Sequence, residues 1–250
     1  MSHDFEDIEV KSNAASLLEA ELKKRRRKCV ITTGSMSDPY IHLEEQLRVT
    51  RECLSVIEKH GFGLAIQTKS SLILRDIDLL TRINQKAKCV VQMTLTTYDE
   101  NLCKIVEPCV SSTRERFKVL LAMKEAGIPT VVWLSPILPR INDSEENLLG
   151  LMDYCAKAGV FGIICFGFGL TLRSGNREYF FAKLTQHYPG VKDYYLKEFA
   201  NSYSCLSPNN SRLKDVFLSL CRQYGILCDS KAIFSHMREF RSNECQLQLV

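Results

Sequence analysis

The stretch ITTGSMSDPYIHLEEQ, Ile31–Gln46, passes from one kind of pattern to another. Cys29, Val30 and Ile31 close a short apolar run of strand length. Gly34, Ser35, Ser37, Asp38 and Pro39 follow, and then apolar residues recur at helical spacing. Gly, Ser, Asp and Pro are the usual turn formers, so the loop reads either as an ordinary turn or as the floor of a ligand site. Strand, polar loop and helix together make one β/α unit, and its recurrence along the chain decides the fold.

Five runs of this kind occur: CVITT from Cys29, GLAIQT from Gly63, CVVQMTLT from Cys89, TVVWLS from Thr130 and VFGIICFGF from Val160. Near-continuous apolar runs of this length read as parallel strands buried on both faces. Helical patterns lie between them. HLEEQLRVTRECLSVIEKHG reads as one helix ending at Gly61, a good C′ residue. RDIDLLTRINQKA, STRERFKVLLAMKEAG and DSEENLLGLMDYCAKAG read likewise, the last opening on an Asp/Ser cap. The unit repeats every roughly 25–40 residues, close to the ~31 per unit of an eight-fold barrel. The fold class is therefore α/β, a whole or partial TIM-like β/α barrel, with a doubly wound open sheet as the competing topology. A single domain over residues 1–250 is expected, with its core at about 29–175 and a helical region at about 176–240. In that region Ser207 reads as a helix cap with Pro208 at the first helical position. From Ser242 on no regular pattern is visible.

A net charge of +4 is too mild to imply nucleic acid without a local patch. The run Lys23–Lys28 closes a helical segment, where cations complement the helix dipole or meet a phosphate backbone. The longest apolar run falls short of the ~18 residues a membrane span needs. The acidic N-terminus MSHDFEDIEV lacks the apolar region of a signal peptide, so a cytoplasmic location is expected. The eleven cysteines are scattered, which in a reducing compartment means thiols, and none shows metal-ligand spacing.

Ligands of β/α folds meet the loops at the C-terminal ends of the strands. All five ends carry small or polar groups: Gly34, Ser35, Ser37 and Asp38; Thr68, Lys69 and Ser70; Thr94, Thr96 and Thr97; Ser135, Pro136, Asn142 and Asp143; Gly167, Gly169, Thr171 and Arg173. Singly, each has a bland reading as a turn, a solvated lysine or a β-forming threonine. Converging on one mouth, they suit a polar ligand with a carboxylate, an amine and a ribose.

The order GSMSDPY, TKS, MTLTT, PILPRINDSEENL, GLTLR…REYF and NSYSCLSPN resembles the radical S-adenosylmethionine (radical SAM) proteins of the spore photoproduct lyase-like group, over almost the whole chain. The resemblance implies a partial, six-stranded barrel holding a [4Fe-4S] cluster and S-adenosylmethionine at its mouth. Carried over by position, it implies that Gly34–Asp38 meets the methionine amino group, with Ser35, Ser37 and Asp38 as acceptors. It implies Lys69 near the methionine carboxylate, Thr94 or Thr96 by the ribose or sulfonium, and Pro136–Asn142 along the adenine. Arg173 would contact a carboxylate or the substrate. The family's CxxxCxxC loop, which supplies three thiolates to the cluster, and the strand before it are expected ahead of DFEDIEV and are not in this chain. The expectation is thus a radical SAM enzyme with lyase-type chemistry in reach, N-terminally truncated here and inactive alone. Two further readings are a non-catalytic barrel-type binding protein and a Schiff-base enzyme using Lys69 with Asp38 as its proton partner. The partner set is a small-molecule cosubstrate, an unidentified substrate and an unidentified electron donor, with no membrane. The spore photoproduct lyase itself repairs a thymine dimer in DNA, and the Lys23–Lys28 run alone points that way here. An unpaired edge beside the first strand is expected to promote self-association.

Overall fold

The computed structural model describes residues 8–240. The first seven residues of the acidic start and the tail from Ser242 lie outside those residues. Helix α1 (Ala14–Lys24) leads into strand β1 (Val30–Thr33), followed by the short α2 (Glu44–Leu47) and α3 (Val49–His60). Strand β2 (Gly63–Thr68), a 3₁₀ turn (Ser71–Asp76) and α4 (Ile77–Lys86) come next. Strand β3 (Cys89–Thr94) precedes α5 (Glu100–Val106) and α6 (Thr113–Glu125); β4 (Thr130–Trp133) precedes α7 (Glu145–Ala158); β5 (Gly162–Ile164) ends the repeat.

The five strands form one parallel sheet in the order β1-β2-β3-β4-β5. Each strand lies beside its predecessor, so the order never reverses. A doubly wound sheet needs such a reversal; a partial barrel does not. Alternation along the strands sorts the side chains into two cores. Leu64, Ile66, Cys89, Val91, Met93, Val132 and Ile163 point to the layer of α3, α4, α6 and α7. Ala65, Val90, Val131 and Ile164 point the other way. There they meet Ile233 and Met237 of α11 (Ser230–Arg238), which packs on the inner face of the sheet. The β5 edge is covered by Leu227, whose carbonyl accepts from Ile163 N–H at 2.8 Å.

The helix expected across His42–Gly61 is two helices. Arg48 adopts φ 55° between them, so that Glu44 folds back and its carboxylate accepts from Thr50 N–H at 3.0 Å, capping α3. The C-terminal region is not purely helical. Strand β6 (Gly169–Thr171) pairs antiparallel with β7 (Ser204–Leu206), flanking α8 (Asn176–His187) and α9 (Pro189–Phe199). Gly169 permits this pairing: a Cβ there would stand 2.4 Å from the Cys205 carbonyl. Helix α10 (Asn210–Tyr224) starts later than expected. Ser207 does not cap it; the hydroxyl is buried, donates to Asp143 at 2.5 Å and accepts from Asn209 N–H at 2.9 Å. Among the described residues no helix is long and apolar enough to cross a membrane.

Candidate functional site

A cavity of about 760 Å³ opens at the C-terminal ends of four parallel strands. Lys69 after β2, Thr96 after β3, Ser135 and Pro136 after β4, and Phe166 and Gly167 after β5 all line it. Asn142, from the loop into α7, lines it as well.

At its floor, one carboxylate serves two cations. Glu107 Oε1 lies 2.5 Å from Lys69 Nζ, and its Oε2 lies 2.9 Å from Arg116 Nη2. Oε2 also accepts from Thr96 Oγ1 at 2.9 Å. Arg116 is fully buried and donates further to the carbonyls of Ser111 (2.7 Å) and Thr94 (3.0 Å). Burial alone would raise the pKa of Glu107, but the Lys69 and Arg116 charges outweigh it and hold the carboxyl below its ordinary range. Glu107 is therefore an anion set between two cations, the part-exposed Lys69 and the buried Arg116.

The loop after β1 touches this floor through Asp38. Its Oδ2 accepts from the Lys69 main-chain N–H at 2.7 Å; its Oδ1 accepts from Thr68 Oγ1 (2.7 Å) and Tyr40 N–H (2.9 Å). Asp38, Lys69 and Thr96 are thus joined by a continuous chain of hydrogen bonds. Gly34 sits at φ 95°, and a Cβ there would lie 2.0 Å from the Gln67 carbonyl, so only glycine lets the loop lie against β2. Ser35 and Ser37 are exposed beside it.

A second network holds this loop from outside. The buried Asp76 accepts from Arg51 Nη1 (2.8 Å), Arg75 Nη2 (2.9 Å) and Tyr40 O–H (3.1 Å). Burial pushes the Asp76 carboxyl up, and the Arg75 and Arg51 contacts overcome it and hold it low. On the far wall, buried Asn142 donates to the Thr96 carbonyl (3.1 Å) and to Thr97 Oγ1 (2.9 Å), while its Oδ1 accepts from Leu138 N–H. Asn147 donates to the same Thr96 carbonyl at 2.9 Å, tying the end of β3 to α7.

Among the sequence candidates, Lys69, Thr96, Pro136 and Asn142 line the cavity. Gly34, Ser35, Ser37 and Asp38 stand one loop behind it, and Thr94 is buried in β3 with its carbonyl on Arg116. Arg173 stands apart: it is exposed and donates to the Tyr203 phenolic oxygen at 3.5 Å, outside the cavity wall. Asp38 is not the partner of the Lys69 ammonium, because its oxygens are taken by the loop and the main chain; Glu107 is. A Schiff base at Lys69 would first have to break that ion pair.

The sequence reading missed Glu107 and Arg116. The signal for Arg116 was available: it sits on the same helical row as Val119, Leu120 and Met123, and a charge on an apolar stripe requires a buried partner. Glu107, in IVEPC, carried no such mark.

The sequence pattern of the Radical SAM superfamily matches residues 6–152, more than half of the chain. The chain belongs to the radical SAM superfamily. Relatives of this radical SAM protein include an uncharacterized protein of Mycobacterium tuberculosis, 30% identical over 194 residues, which cover 77% of this chain and 56% of the relative. Another, from Methanocaldococcus jannaschii, is 34% identical over 138 residues, 55% of this chain and 50% of that one. A third, from Acidianus two-tailed virus, is 31% identical over 159 residues, 62% and 51% respectively. The chain spans about half the length of the curated relatives it matches. Its fold is shared with spore photoproduct lyase complexed with a dinucleoside spore photoproduct, at TM-score 0.59 and 16% identity, covering 87% of this chain and 65% of that one.

Family chemistry combines a [4Fe-4S] cluster with S-adenosylmethionine. Among the described residues no group of three Cys, His, Asp or Glu side chains could hold a metal ion. These residues do not fit the cluster, and no step through it is assigned to them. The donor set does suit the cosubstrate: the Lys69 ammonium for a carboxylate, hydroxyls, and the Pro136 wall.

Proposed function

We propose that this chain binds S-adenosylmethionine at the mouth of its partial barrel, as the cosubstrate-binding part of a radical SAM enzyme. The observation that carries the reading is the shared carboxylate: Lys69 and Arg116 on one Glu107, at the floor of a cavity closed by four strand ends. An arriving carboxylate finds at that floor an ammonium it can share with Glu107, and a charge-assisted contact is the stronger kind. Lys69 is the cation in reach, being one third exposed while Arg116 is fully buried. Thr96 and Ser135 offer hydroxyls to the ribose, and Pro136 with the Asn142 loop borders the adenine. The Gly34–Asp38 loop works at one remove, holding the Lys69 main chain through Asp38.

When bound, S-adenosylmethionine supplies the family's radical chemistry. The chain's own contribution is to orient the methionine end, exclude water and present the sulfonium to the rest of the cavity. The core at about 29–175 holds the cosubstrate and the region at about 176–240 closes the cavity over it. The described residues alone bind S-adenosylmethionine without cleaving it reductively.

The test is calorimetric titration of S-adenosylmethionine into the wild-type chain and Lys69→Ala. Binding that falls at least tenfold in the variant, with adenosine binding unchanged, supports the reading. Equal affinity in both proteins overturns it.

A further inference from the structure

The cavity continues past the cosubstrate residues to α8. One face of that helix is turned to it: Asn176, Tyr179, Phe180, Lys183, Leu184 and His187, which are neighbours along a helix at spacings of three and four. The superfamily pattern ends at residue 152, so it does not cover α8. The helix is held by a small core of its own, in which Leu172, Leu184, Tyr195 and Cys205 are buried. Phe180 packs edge-on against Tyr195, with ring centroids 5.2 Å apart. The aromatic face is therefore fixed from behind, while Tyr179 and, across the cavity, Phe166 stay 62% and 67% exposed.

The charges on this wall are one-sided. Lys183 lies on α8, 5.5 Å from the Tyr179 ring centroid, and Lys104 lies on α5. Neither has a carboxylate within ion-pair distance among the described residues. Among the described residues the only acid lining the cavity is Glu107, already held between Lys69 and Arg116. Three lining lysines (69, 104, 183) against one glutamate leave two positive charges. A sulfonium cosubstrate, itself a net cation, adds to that field. A second occupant is favoured in proportion to the negative charge it brings.

We propose that the α8 end of the cavity is the substrate subsite, for a small molecule joining a flat, ring-bearing body to an oxyanion. The ring lies on Tyr179 and Phe180, and the oxyanion meets Lys183 and Lys104. The proposal deepens the proposed function and rests on it for the division of the cavity into a cosubstrate end and a substrate end. The volume of about 760 Å³ is that of a small-molecule site rather than a groove for a macromolecule.

The test uses 8-anilinonaphthalene-1-sulfonate, a ring system with one anion, and its neutral counterpart N-phenyl-1-naphthylamine. Fluorescence titration of the folded chain is compared with Lys183→Glu, Lys104→Glu and Lys183→Arg. Both lysines are exposed, so the variants keep the fold, as near-UV circular dichroism checks. The expected result is sulfonate binding at least tenfold tighter than that of the neutral dye, weakened at least tenfold by either glutamate variant and restored by Lys183→Arg. Displacement by 1-naphthoate or 1-naphthyl phosphate, but not by 1-naphthol, is expected too. Equal binding of the two dyes, wild-type binding by Lys183→Glu, or displacement by 1-naphthol as strong as by the anions overturns the proposal. S-Adenosylmethionine titrations of the same proteins separate the two ideas. If the cosubstrate fails to bind while the sulfonate still depends on Lys183, the proposed function fails and the anion subsite stands.

Discussion

Replacing Glu107 by Gln removes one negative charge from between two cations. Arg116 is then a fully buried guanidinium without a counter-charge, keeping the Ser111 and Thr94 carbonyls and at most a neutral amide oxygen. Breaking a buried pair from one side costs about 3–5 kcal/mol. Two retained carbonyl bonds put this case near the low end, about 3 kcal/mol. Lys69→Met breaks the other half of the same site at far lower cost. Lys69 is 32% exposed, so its pair is screened by water, and Glu107 keeps Arg116; a loss of about 1 kcal/mol or less is expected. The assay is urea unfolding followed by circular dichroism. At a slope of roughly 3 kcal/mol per molar, Glu107→Gln lowers the midpoint by about 1 M, and Lys69→Met by about a third of that. Equal shifts, or a larger one for Lys69→Met, refute the idea that Arg116 is the cation that depends on this carboxylate. The acid limb gives the matching sign. Because the folded pKa of Glu107 is depressed, its stabilisation is complete above the ordinary value of 4.5 and is lost as the pH falls through the lower folded value. Glu107→Gln should flatten the fall in stability below pH 4.5.

Gly34→Ala places a Cβ against the Gln67 carbonyl at a positive φ and should destabilise by at least ~2 kcal/mol, read as a lower thermal midpoint. Asp38→Ala leaves the Lys69 main-chain N–H, Thr68 Oγ1 and Tyr40 N–H without their acceptor. A loss of about 1–3 kcal/mol is expected, with faster amide exchange at Lys69. Tyr40→Phe removes one of several donors to Asp76 and should cost only about 0.5–1.5 kcal/mol by the same unfolding assay. Among the described residues β1 pairs with β2 alone and exposes Thr32, so Thr32→Lys should reduce concentration-dependent association in analytical ultracentrifugation.

The strands were legible because parallel β-strands buried on both faces leave near-continuous apolar runs. CVVQMT and GLAIQT are two such runs, and all six residues of β3 are buried. The cap of α7 was legible for a local reason, Ser144 accepting from the backbone three residues on; Ser112 caps α6 in the same way and was not read. The break at Arg48 was not, because it depends on Glu44 meeting Arg75 at 2.8 Å from another unit. Helix α11 falls inside the region expected to be helical, but its place was not read, although Asp229 caps it and Ile233, Phe234 and Met237 mark its apolar face. Its partner is the inner face of the sheet, which short-range pattern cannot supply. The hairpin of β6 and β7 is two three-residue strands far apart in sequence, too short for a period-2 signal. At the site, the ring of strand ends could be placed from loop composition, but which of its members share a cavity could not. Arg173 and Lys69 both follow strands in the sequence, and only the fold separates them.

A crystal structure of this chain grown with S-adenosylmethionine addresses the central claim without intermediaries. Density for the cosubstrate in the cavity, its carboxylate on Lys69 and its adenine along Pro136–Asn142, is the expected result. A cosubstrate bound elsewhere on the chain, or a cavity left without it at saturating concentration, would contradict the account.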